Sequence, residues 1–159
     1  MGLNELSGVL WRERRLLELL LFKLEEEQLI LSSGRTRWLG HATREVEQVL
    51  DQIRSAELGR SVEAEDAARE LRQDAGCSLR TLATAAPAPW GDLLMEHHAA
   101  FVSLTDEINA LAQGNRDLLS TSFRATRETL LSLQDTVDTY GPQGAATSFD
   151  TAQLVDRAL

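Results

Sequence analysis

LNELSGVLWRERRLLELLLFKLEEEQLIL, residues 3–31, carries leucine at 3, 10, 17, 24 and 31, one every seven residues. Leu6 and Leu20 fill the second heptad position, and Glu13 and Glu27 take the intervening two. A strict seven-residue repeat keeps one stripe facing a supercoiled partner helix. This stretch therefore predicts a helix over about residues 4–31, capped near Asn4 and stopped by Ser32, Ser33 and Gly34. Leu16, Leu19, Leu21, Phe22, Leu29 and Ile30 widen the apolar face beyond a two-helix seam, so more than one neighbour is expected to cover it.

Working outward, Leu39, Ala42, Val46, Val49, Ile53 and Ala56 alternate three and four apart, the spacing of one helix face. They predict a second helix over about 36–74, antiparallel to the first because the connection is short. Its pattern weakens after Gly59 and its end is expected to fray. Ser78 is placed to cap a short turn through Ala85, closed by Pro87 and Pro89. The last helix, about 89–137, starts with proline in its first turn and spans on the order of 70 Å. Its stripe reads Trp90, Leu94, His97, Phe101, Leu104, Ile108 and Leu111. Past Gly114 it shifts phase to Leu119, Phe123, Thr126, Leu130, Leu133 and Val137, while Leu118 and Ala125 keep the old register. From Gly141 onward Gly, Pro, Gln, Ala, Thr and Ser dominate, a composition that buries too little apolar area to offset ordering entropy. The expected architecture is all-α: an elongated antiparallel helical hairpin or coiled-coil bundle with a long C-terminal helix, forming one domain over 1–140, and a flexible tail over 141–159.

Composition agrees. In 159 residues there are 28 Leu and 19 Ala against ten Val and Ile together, a balance that favours helix over strand. The formal net charge is -9, which disfavours nucleic acid and anionic lipid, since both are bound by neutralising phosphates with basic groups. Charged residues interrupt every Leu cluster before the roughly 18 apolar residues that a membrane helix needs. A lone cysteine, Cys77, and the absence of a secretory pattern at Met1 to Leu10 make the cytoplasm the expected compartment.

Catalytic chemistry is not expected. His41, His97 and His98 are the only histidines, and neither the two-His helical zinc spacing nor paired Glu-x-x-His occurs; His97 is read as packed at a seam and His98 as exposed. No cofactor or metal is expected. Arg12, Arg14 and Arg15 read as local basic decoration, Glu25 to Glu27 as a solvated face, and Trp11, Trp38 and Trp90 as core residues. What remains is the displaced stripe after Gly114, left partly bare in a simple antiparallel bundle and suited to a partner helix.

Three stretches then resemble the FlgN-type flagellar export chaperones. Glu25-Glu26-Glu27-Gln28-Leu29, the Gly34 turn and Trp38 to Arg54 are similar to that family's N-terminal hairpin. Asn115-Arg116-Asp117-Leu118-Leu119, with Leu130 and Leu133 following, resembles the Asn-x-x-Leu-Leu opening of its substrate-binding helix. Tyr140-Gly141-Pro142-Gln143-Gly144 is similar to its Tyr-Gly-x-x-Gly segment. The stretch from Gly76 to Pro89 departs from the family in being longer and Ala-rich. The resemblance implies a small acidic cytoplasmic chaperone, monomer or weak homodimer, that holds hook-associated junction proteins of the FlgK and FlgL kind before export. It carries client binding over to Asn115, Leu118, Leu119, Phe123, Leu130, Leu133 and Val137, and contact with the export gate to Tyr140. The competing expectation is a coiled-coil scaffold or adaptor that self-associates through its Leu stripes, distinguished by its mass in solution.

Overall fold

The computed structural model describes residues 2–140, and the side chains of residues 2–134 within them. Its order is α1 (Gly2–Ser33), a single 3-10 turn (Thr36–Trp38), α2 (Leu39–Glu70), α3 (Leu79–Ala85) and α4 (Trp90–Tyr140). Every regular element among the described residues is helical, so the all-α expectation holds. The expected tail, 141–159, lies outside the described residues. The chain divides into two compact units, Met1–Leu118 and Leu119–Leu159.

In the first unit three long helices lie side by side. Leu20 and Leu24 of α1 pack on Val46, Val49 and Ile53 of α2, while Leu3, Leu6 and Leu10 meet Ala67 and Ala68. The two helices therefore run antiparallel, as the short connection through Gly34, Arg35 and the 3-10 turn requires. Gly34 makes that turn with φ +70, a left-handed conformation that glycine adopts without a Cβ penalty. α4 runs parallel to α1: Leu94 joins the cluster around Leu6 and Leu10, whereas Ile108, Leu111 and Ala112 pack beside Leu20 and Leu24. The connection that makes this possible is α3, whose Leu82 and Ala83 enter the first cluster. Ser78 caps α3 as its sequence predicts, its hydroxyl accepting from Thr81 N at 3.1 Å. Gly91 allows α4 to cross α3 closely, since a Cβ there would lie 2.8 Å from the Ala83 carbonyl oxygen.

Several expectations need correction. α1 starts two residues earlier than Asn4. The 3-10 turn occupies the expected start of α2. α2 ends at Glu70 rather than near 74 because Arg72 adopts φ 55. Gln73 N then donates to the Ala68 carbonyl at 2.8 Å and Arg72 N to that of Arg69 at 3.2 Å, the paired bonds of a Schellman motif. An arginine in that place gives no glycine signal to read. Nor is this end loose: Ala67 and Ala68 are buried against the start of α1, because alanine lets the helices approach. Trp11 and Trp38 are exposed rather than core, and so are Leu19, Phe22 and Leu29. Of the broader apolar face of α1, Leu16 packs on the second cluster and Leu21 and Ile30 are half-buried, whereas Leu19, Phe22 and Leu29 stay uncovered.

The two apolar clusters are separated by polar residues. Glu13 is buried at the heptad position between Leu6 and Leu20, its Oε1 3.3 Å from Arg60 Nη1. Burial raises its carboxyl pKa above the ordinary value, opposed by the Arg60 charge and reinforced by Glu57. His97 is fully buried on α4, as its stripe position predicts, whereas His98 is half-buried rather than exposed. The Trp11 ring meets the His97 ring edge-on at 4.9 Å.

Candidate functional site

α4 begins as a seam helix. Trp90, Leu94, His97, Phe101, Leu104, Ile108, Leu111, Asn115 and Leu118 recur three and four apart and are all buried or half-buried. The helix passes through Gly114 without a break. One turn of sequence there changes the chemistry of both stripes. The old register continues into Ser122, Ala125, Thr129 and Ser132, too small and polar to continue a leucine seam. Thr126 Oγ1 donates to the Ser122 carbonyl and Thr129 Oγ1 to that of Ala125, both at 2.9 Å, so these hydroxyls are satisfied within their own helix.

The apolar residues move by one position, which turns their stripe by about 100° around the axis. Leu119, Phe123 and Leu133 are exposed, and Leu130 is half-buried. With Thr126 they fall on one face of the second unit. Leu118 is half-buried at the end of the first unit. The backbone of α4 extends through Val137 and Tyr140, but both side chains lie outside the described residues. Leu131, exposed and next to the stripe rather than on it, is a residue that periodicity passes over, because it belongs to neither register.

Asn115 is placed differently from the rest of the set. Its side chain is buried in the first unit and Nδ2 donates to the Leu24 carbonyl at 2.9 Å. It thus ties α4 to α1 at the last turn before the stripe changes phase. A polar residue at a single seam position fixes helix register, and that is what this bond does between these two helices.

Among the described residues no group of three or more His, Cys, Asp or Glu is placed to hold a metal ion, and no helix is long and apolar enough to cross a membrane. His97, the sole buried histidine described, is walled by Trp11 and Phe101 and neither ring nitrogen has a hydrogen-bond partner. Burial lowers its pKa, the Arg14 charge lowers it further, and Glu96 acts against both. A ring buried between two aromatic side chains without a hydrogen-bond partner is placed as a packing group.

The described residues thus form an all-helical scaffold, and the helix of the second unit carries an exposed apolar face. The family model described as FlgN protein matches residues 1–148. The chain belongs to the FlgN family, and so to the chaperones of flagellum assembly, a class of binding proteins rather than enzymes. No curated protein and no solved structure matches it.

Proposed function

We propose that this protein is a cytoplasmic export chaperone for hook-associated junction proteins of the FlgK and FlgL kind. It binds their helical C-terminal region, prevents premature self-association and delivers them to the flagellar export gate. The observation that carries the reading is the exposed face of Leu119, Phe123 and Leu133 with Leu130 beside them. Large apolar side chains in a row on a described helix have a high cost in water, which a client helix removes by covering them. In this reading Val137 extends the face at its far end, Leu118 contributes from the neighbouring old register, and Tyr140 follows as the gate contact. Asn115 contributes by holding the helix on α1 rather than by touching the client. Residues 1–140 act as the helical chaperone domain, with 141–159 as its tail.

The test is co-purification and titration of the full chain with a hook-associated protein. Leu119→Ser, Phe123→Ser and Leu133→Ser together should abolish capture, and Tyr140→Ala should leave client binding intact while abolishing binding to the export gate. Mass in solution separates this from a scaffold: a client-free monomer or weak dimer is expected, and a stable oligomer lost with the same three substitutions would assign the stripe to self-assembly instead.

A further inference from the structure

The outer face of α1 carries a second apolar row that the fold leaves uncovered. Trp11, Leu19 and Phe22 are exposed, and at 3.6 residues per turn they share an arc of about 100° with Gly8, Arg12 and Arg15. This arc lies away from Leu3, Leu6, Leu10, Leu20 and Leu24, which face the core. Gly8 has nothing within 4 Å of where a Cβ would stand, so the helix surface dips there, and Trp11, Arg12 and Arg15 border this shallow, open depression. The indole of Trp11, 44% exposed, is held between the His97 ring and the Arg14 guanidinium, 4.5 Å from its centroid. An aromatic fixed on two sides and open on a third is a low-entropy anchor.

Charge selects the occupant. The chain has a net charge of -9, yet this face presents Arg12 and Arg15, neither of which has an ion-pair or hydrogen-bond partner among the described residues, with Arg14 behind them. Between Gly8 and Phe22 only Glu18 borders the arc with an exposed carboxylate, since Glu13 is buried toward Arg60; Glu5 and Glu25 flank the face beyond its two ends, and Glu26 is paired with Lys23. Two isolated guanidiniums interleaved with Trp, Leu and Phe over four turns of helix match an amphipathic helix whose apolar anchors are flanked by carboxylates. They are too few, on so acidic a chain, to hold a polyphosphate backbone. We infer that the outer face of α1, from Gly8 to Phe22, is a second docking surface that takes an acidic amphipathic helix of another protein, separate from the stripe that begins at Leu119.

The experiment uses the full chain and a labelled 18-residue helical peptide with leucines at positions i, i+3, i+4 and i+7, flanked by glutamates, read by fluorescence anisotropy. A counterpart with lysines for glutamates is the control. The acidic peptide should bind, more weakly as salt rises, and the basic one should not. Arg12→Glu with Arg15→Glu should weaken binding by about tenfold or more, and Trp11→Ala by a similar factor, while Leu119→Ser with Phe123→Ser should leave it unchanged. Arg12 and Arg15 are exposed, so circular dichroism should show these variants folded. Equal binding of both peptides, or no effect of the arginine reversals, overturns the inference. So does loss through Leu119 and Phe123, or a dimer that the arginine reversals dissolve, or binding to phosphatidylserine vesicles in place of the peptide.

Discussion

Replacing Leu119, Phe123 and Leu133 by serine should remove client binding while leaving the bundle folded. The size of the effect comes from what each side chain still exposes: 39% for Leu119, 42% for Phe123 and 57% for Leu133. Fully burying such a side chain is worth about 1.5–3 kcal/mol, so the exposed fractions are worth roughly 1 kcal/mol each when a client covers them. Together that is about 3 kcal/mol, or on the order of a hundredfold loss in Kd. Stability should barely move, because none of the three belongs to either core cluster and the intrinsic helix preference lost per Leu to Ser change is only a few tenths of a kcal/mol. Isothermal titration with the helical C-terminal segment of a hook-associated protein, beside thermal melts of each variant, measures both quantities. Retention of affinity within threefold with an unchanged Tm would refute the assignment of the stripe. A Tm fall of more than about 10 °C would refute its exposure, showing that these residues support the fold.

Other expectations concern the bundle. Gly91→Ala places a Cβ 2.8 Å from the Ala83 carbonyl oxygen and 3.2 Å from that of Ala86; moving two backbones apart should cost about 1–3 kcal/mol in chemical denaturation. Arg72→Gly relieves a left-handed arginine at φ 55 and should raise stability by up to about 1 kcal/mol, read as a higher denaturant midpoint. His97 has its pKa lowered in the folded protein, so the unfolded chain takes up its proton first. Stability should therefore be lost as pH falls below about 6.5, and pH-dependent melts of His97→Phe should lack that component. Glu13, raised by burial, acts with the opposite sign, and its contribution should diminish as pH rises above the ordinary carboxylate value.

The seven-residue leucine repeat of α1 and the three-and-four spacing of α2 and α4 determine the helices, their order and the antiparallel hairpin. They do so because helix burial is periodic and a periodic stripe is visible in one dimension. The hydroxyl cap at Ser78 and the change of phase after Gly114 are local chemistry and equally legible. What required the tertiary structure is the identity of the neighbour over each face. Leu19, Phe22 and Leu29 have the composition of core residues, yet only the face toward α2 and α4 is covered, because those helices pack on the heptad stripe. The same geometry leaves Trp11 with one edge on His97 and one side open, and turns Arg12 and Arg15 from scattered charges into a face. Asn115 likewise lies in the sequence beside the stripe residues, but its bond to the Leu24 carbonyl exists only because α4 runs parallel to α1. The end of α2 escaped the sequence for a related reason: hydrogen bonds between backbone groups, not a glycine, hold Arg72 in its turn. Periodicity specifies which residues form a face, and packing decides which face is left for a partner.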